Sequence, residues 1–371
     1  MKIIDAKTGL EKSKEITEII WDEVNEEMKH QHYTIKEILE QPDAILRSIN
    51  QDERELLKAA LDILRAKHTI FAAVGTSRYA AIIGRYLFSK IAKKFSEVIM
   101  ASEFQYFIDS VDEDTVVIAV SQSGETADVL EGVEKAKAKG AKIIAITNVP
   151  GSTLSRIADR VFYLNCGPEI GVAATKSFTS QLAVMYLLAY ALIDRVEEGK
   201  KKLVQIAERI RETIEENLET IKSLAQKIRD RNDAYFIARG IDFAIAGEGS
   251  LKLKELSYIH AEGMPAGELK HGTLSLIEEG TPVVVICPND YTYYETLNNA
   301  LEAKSRGAFI IGVSDKYNKI FDVHLKIPDV DEIFYPIVTV VPLQLLAYYT
   351  SVYRGLNPDK PRNLAKSVVV K

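Results

Sequence analysis

The chain has 371 residues, 47% of them apolar and 27% charged, so it is globular and too long for one ordinary core. Its net charge of −6 argues against a general nucleic-acid binder, which needs a broad surplus of Lys and Arg. The two cysteines, Cys166 and Cys287, stand far apart with no CxxC or Cys/His cluster, which argues against a zinc site and fits a reducing, cytoplasmic setting.

In chain order, residues 1–24 come first, "MKIIDAKTGLEKSKEITEIIWDEV". They alternate apolar and polar, with "AKTG" as a turn between short strands, and no apolar signal-peptide core is present. Such a hairpin is marginal without a sheet to join. "HTIFAAVGTS" (68–77) is an apolar strand ending in glycine. "TVVIAVSQSGET" (115–126) is a second, and "EKAKAKGAKIIAITN" (134–148) reads as a helix, a C-terminal glycine and a third strand. Within "SFTSQLAVMYLLAYALIDRVEEGKKKLVQIAERIRETIEENL", the longest apolar stretch is "LAVMYLLAYALI". It is too short for the roughly 20 residues that span a bilayer, so it reads as a buried helix and no membrane partner is expected.

The same series then recurs. "DAYFIARGID" (233–242), "TPVVVICPNDYT" (281–292) and "LEAKSRGAFIIGVSD" (301–315) match the three earlier blocks. Gly75 and Gly240 are 165 residues apart, and Gly140 and Gly307 are 167 apart. Two copies at one steady offset mean a duplicated domain. Each copy reads strand, helix, strand, helix, strand. The strands are continuous apolar runs, as in parallel sheets covered on both faces. The fold class is therefore α/β, with a doubly wound parallel-sheet unit used twice in tandem. The last segment, "LNPDKPRNLAKSVVVK", reads as a tail laid over the surface.

"SQSGET" lies where a buried strand turns into a helix, the place where open parallel sheets bind ligands. The helix start offers free N–H groups and a positive dipole end, and Ser121, Ser123 and Thr126 add donors without charge. A phosphate satisfies all of this. GxxxxGK[ST] and GxGxxG are both absent, so a sugar phosphate is the simpler guest. The plainer alternative is an N-cap by Ser121 or Ser123. Thr76 and Ser77 supply a second hydroxyl turn, which an adjacent parallel strand would bring alongside. In the second copy "CPNDYT" loses the serines and gains Pro288 and Asp290, so that half is not expected to hold phosphate in the same way.

That half carries Lys252 and Glu255, three apart on one helix face, and His271 in a glycine-flanked loop. Taken alone, the pair reads as a solvated ion pair and His271 as a surface residue.

"GTS", "SQSGETADVLEG", "TNVPGSTLSR", "EIGVAATKSFTSQL", "LKLKELSYIHAEGMPAGELKHG" and "PRNLAKSV" together resemble the isomerase part of the glucosamine-6-phosphate synthases, also called glutamine–fructose-6-phosphate aminotransferases (isomerizing). The likeness runs from "HYTIKEILEQP" (32–42) to the last residues. It implies two sugar isomerase (SIS) domains, at 47–200 and 201–355, between a remnant hairpin and linker (1–46) and a C-terminal tail (356–371). It implies a homodimer that makes glucosamine 6-phosphate from fructose 6-phosphate with ammonia from a glutaminase domain, without a metal or cofactor. Ser121, Gln122, Ser123 and Thr126 would hold the phosphate with Thr76 and Ser77 nearby, and Val172 and Ala173 would line the sugar. Glu255 would move a proton between C1 and C2, assisted by Lys252. His271 would open the sugar ring, from the neighbouring subunit, and Lys366 would form a Schiff base at C2.

Two positions depart from the pattern: Ala174 where Ser is common, and Thr273 where Pro is usual. The N-terminal hairpin resembles the end of the glutaminase domain, so the expectation is the isomerase portion of a longer enzyme. A stand-alone protein using free ammonia is the alternative. The rival functions are a SIS-type glucosamine-6-phosphate deaminase, a hexose-phosphate isomerase and a phosphosugar-sensing regulator.

Overall fold

The computed structural model describes residues 30–367, so the expected hairpin at 1–24 lies outside the described residues. Three helices lead in: α1 (Tyr33–Leu39), α2 (Gln41–Ser48) and α3 (Glu53–Arg65). The last starts where Asp52 caps it, accepting from the Arg54 and Glu55 N–H groups. The first sheet unit follows as β1 (His68–Ala73), α4 (Gly75–Ala92), β2 (Glu97–Met100), α5 (Ala101–Phe104), β3 (Thr115–Val120), α6 (Ala127–Ala138), β4 (Lys142–Thr147), α7 (Thr153–Ile157) and β5 (Arg160–Tyr163). Two long helices, α8 (Lys176–Ala191) and α9 (Val196–Ile228), lead to the second unit. It runs β6 (Asp233–Ala238), α10 (Phe243–Ser257), β7 (His260–Pro265), β8 (Pro282–Ile286), α11 (Tyr293–Lys304), β9 (Phe309–Ser314), β10 (Val323–Lys326) and α12 (Tyr335–Tyr353).

Both sheets are wholly parallel, in the orders β2-β1-β3-β4-β5 and β7-β6-β8-β9-β10, which is one topology used twice. Each unit thus has five strands where the apolar runs predict three. The strands missed are β2, β5, β7 and β10. Except for β7 they are four residues long, and none is buried throughout. A strand near the rim has a wet side and carries no unbroken apolar run. Along β1, Phe71 and Ala73 face one core while Ile70 and Ala72 face another, and β6 divides its residues in the same way. The inner faces of both sheets share a single core, which joins the two units.

Helix α8 is buried along all 16 residues, as "LAVMYLLAYALI" predicts. A longer apolar helix escaped that reading. Glu332–Tyr353, which contains α12, is long and apolar enough to cross a membrane, yet its most apolar window is 89% buried inside the protein. It packs on α9 and α10 as a core helix.

The order of each sheet reverses at β1/β3 and at β6/β8. Ligand crevices of open α/β sheets form beyond such points, so the turns after β1 and β3 flank a natural site.

Candidate active site

The chain leaves β3 at Val120, and α6 begins at Ala127 with Thr126 at its N-cap and no side chain capping it. Ser121 Oγ lies 2.9 Å from Thr126 Oγ1 and accepts the Gly124 N–H at 3.1 Å. Ser123 Oγ accepts the Glu125 N–H at 3.2 Å. The serines therefore shape the turn instead of capping the helix, and the first-turn N–H groups of α6 have no side-chain partner among the described residues. Gly124 is required here. Its φ is +66°, and a Cβ would stand 2.2 Å from Ser152 Oγ and 2.6 Å from Ser152 Cβ. Gln122 turns its carbonyl inward, accepting the Asn148 N–H at 2.9 Å. In the second copy Asp290 Oδ1 accepts both the N–H and the hydroxyl of Thr292, at 2.8 Å each, so a carboxylate closes that turn on itself.

The turn after β1 brings Thr76 and Ser77 onto the first residues of α4. Ser77 Oγ accepts from Gln181 Nε2 of α8 at 2.9 Å. Thr76 faces the second unit, where α10 crosses α4 so closely that a Cβ on Gly247 would meet Tyr79 Cε1 at 2.1 Å.

Lys252 and Glu255 lie in that seam. The Lys252 ammonium donates to Thr76 Oγ1 at 3.0 Å and to Glu255 Oε2 at 2.5 Å, and it stands 3.5 Å from Glu248 Oε1. The Lys252 side chain is only 1% exposed and that of Glu255 21%, so this is no solvated pair. Burial disfavours the Lys252 charge, but the Glu248 and Glu255 carboxylates hold its pKa well above the ordinary lysine value. Burial pushes the Glu248 carboxyl up to about 8 against the pull of Lys252. Glu248 Oε1 accepts from Thr76 Oγ1 at 3.3 Å, while Oε2 finds no partner among the described residues. Glu248 was not singled out in the sequence, although its spacing of four from Lys252 puts both on one face.

The tail returns to the same place. Lys366 donates to Glu169 Oε2 at 2.6 Å and to the Gly171 carbonyl at 2.7 Å. Ser367 Oγ donates to Ser123 Oγ at 3.3 Å, and the Val172 N–H donates to the Asp359 carbonyl at 3.1 Å. Ala173 is buried beside it. Glu169 is fully buried and also accepts the Thr175 and Ser177 N–H groups at 2.9 and 3.0 Å and the Ser177 hydroxyl at 2.8 Å. Burial alone would push its pKa up, but the Lys366 ammonium and those N–H groups hold it below the ordinary value. Glu169 also helps to hold Lys252 charged, which ties the tail pair to the seam pair.

His271 is not part of this grouping. It is exposed at the end of a short 3₁₀ turn and makes no hydrogen bond or ion pair with any described residue. Of the residues picked from the sequence, the structure therefore connects Thr76, Lys252 and Glu255 across the seam, and Ser123, Val172 and Lys366 through the tail. Cys166 and Cys287 are free and buried.

The SIS domain family matches residues 62–191 and 227–354. A glutamine–fructose-6-phosphate aminotransferase [isomerizing] from Thermococcus kodakarensis is 47% identical over 98% of this chain and 62% of its own length. The C-terminal domain of glucosamine-fructose-6-phosphate aminotransferase from Francisella tularensis superposes with a TM-score of 0.82 at 34% identity, covering 90% of this chain and 99% of that one. A glucosamine-6-phosphate deaminase from Thermotoga maritima shares the fold, with a TM-score of 0.70 at 22% identity over 91% of this chain and all of that one. The chain spans about three-fifths of the length of the curated relatives it matches, between 62% and 64% for the first three.

Proposed function

Since the chain belongs to the SIS family and is the isomerase portion of a glutamine–fructose-6-phosphate aminotransferase (isomerizing) family protein, we propose that it converts fructose 6-phosphate to glucosamine 6-phosphate. The ammonia comes from glutamine through a glutaminase domain, and the reaction runs in the cytoplasm. The buried Lys252–Glu255 pair, bonded to Thr76 across the seam, carries this reading.

The phosphate sits against Ser121, Gln122, Ser123 and Thr126 at the open start of α6, with Thr76 and Ser77 beside it. Val172 and Ala173 line the sugar. His271 opens the ring, reaching the site of the neighbouring subunit in a homodimer. Lys366 passes its proton to the Glu169 carboxylate and adds to the C2 ketone, and the proton returns to the oxygen that leaves. Water departs and an iminium remains. Ammonia then adds at C2 and displaces the lysine amine, leaving a protonated imine on C2. Glu255 takes a proton from C1 to give an enolamine and returns a proton to C2, while the C1 hydroxyl gives up its proton and becomes the aldehyde. The Lys252 ammonium, donating to Glu255 Oε2, holds that carboxylate in place. In the second unit Asp290 accepts the Thr292 N–H and hydroxyl and closes the corresponding turn on itself, which supports one phosphate site per chain.

The test is the purified chain with fructose 6-phosphate. Glucose 6-phosphate is expected without ammonia, and glucosamine 6-phosphate with it. Ammonia release from glucosamine 6-phosphate outrunning amination would favour a deaminase, and tight binding without turnover would favour a sensor.

A further inference from the structure

Glu37 is a buried carboxyl that the mechanism does not use. It lies on α1, 133 residues before the turn it touches, and its Oε1 accepts the Ile170 N–H at 2.5 Å and the Gly171 N–H at 3.2 Å. We propose that Glu37 is a positioning residue for the tail lysine, holding the 169–171 turn in the shape that receives the Lys366 ammonium.

The bonds form a closed circuit. Glu37 fixes the amides on one side of the turn, and the turn presents Glu169 Oε2 and the Gly171 carbonyl to Lys366. The next N–H, that of Val172, holds the Asp359 carbonyl. The Asp359 carboxylate then returns to α1, accepting the Tyr33 N–H at 2.9 Å, the Thr34 N–H at 2.7 Å and the Thr34 hydroxyl at 2.8 Å. One short helix therefore grips both the receiving turn and the arriving tail. There is no slack in the circuit, because a Cβ on Gly171 would lie 2.9 Å from both Glu37 Oε2 and Thr34 Oγ1.

The charged groups facing Glu37 are Glu169, Lys366 and Lys176. Burial, with the Glu169 charge behind it, pushes the Glu37 carboxyl up to about 8. A carboxyl that keeps its proton adds no second anion beside Glu169, which remains the counter-ion of Lys366. The role thus needs an acceptor oxygen, not a charge.

The proposal rests on the functional reading only in that Lys366 must reach substrate, and its test separates the two. Glu37→Ala and Glu37→Gln are compared with the parent chain by circular dichroism, by hydrogen exchange of residues 359–367 and by isomerase kinetics. Glu37→Ala should speed tail exchange and lower kcat about tenfold while KM moves less than about threefold, since one or two hydrogen bonds are lost far from the phosphate. Glu37→Gln keeps the acceptor and should stay within about threefold of the parent on every measure. Tail exchange unchanged in a folded Glu37→Ala chain would overturn the proposal, as would Glu37→Gln failing as badly as Glu37→Ala. An inactive parent chain would sink the functional reading alone, and tail exchange would still decide the role of Glu37.

Discussion

Thr76 of the first unit and Lys252 of the second are joined by a 3.0 Å hydrogen bond inside the seam between the two sheets. Neither unit builds this contact alone. The Lys252–Glu255 pair is therefore anchored to the unit whose neighbouring turn carries the hydroxyl-rich "SQSGET".

Replacing Lys252 with Met should cost about 3 kcal/mol, because the largely buried Glu255 carboxylate loses the ammonium it pairs with. Urea unfolding measures the loss. The isomerase activity should disappear with it.

Glu255→Gln should leave the fold intact, since the amide oxygen can still accept from Lys252. Isomerisation should fall by a factor of roughly 100 to 10,000, the usual worth of a positioned base. Full activity in this variant would remove Glu255 from its assigned role.

Gly124→Ala forces a side chain onto a residue with φ of +66° and into Ser152. The backbone conformation alone costs about 1–2 kcal/mol. The turn must open, so on the proposed reading KM for fructose 6-phosphate should rise about tenfold or more while kcat changes less. Steady-state kinetics distinguishes the two effects.

Glu248 titrates at about 8 in the folded chain against 4.5 when free, so the native state holds its proton more tightly than the unfolded state. The sign follows from linkage. Its contribution to stability is fully present below about 4.5 and is lost as the pH rises through about 8. Glu248→Gln removes the titration. The melting temperature of the variant should therefore gain on the parent steadily across that interval. A constant difference between the two melting curves would contradict the assignment.

The central strands were legible because they are buried on both faces, and "HTIFAA", "TVVIAV" and "KIIAIT" announce this in their composition. The repeat supplied the tandem architecture. The rim strands were not legible, since strands such as "EVIM" and "VHLK" are too short and too wet to stand out. Lys252 and Glu255 could be paired by spacing, but their burial could not be read, because Thr76 approaches from 176 residues away. Glu169 and Glu37 escaped notice for the same reason: Lys366 lies 197 residues from Glu169, and Ile170 lies 133 residues from Glu37. Local periodicity carries no trace of such partners. Only the resemblance raised Lys366 above an ordinary tail lysine.

The two sheets share a strand order, yet transplanting "SQSGET" in place of "CPNDYT" would not create a second phosphate pocket. Asp242, fully buried, stands at the place of Ser77 and is bonded to the Thr339 hydroxyl of α12, so the second turn has no partner hydroxyl beside it. On the proposed reading, duplication supplied a spare scaffold without a spare site, and damage to the first turn should not be rescued by its twin.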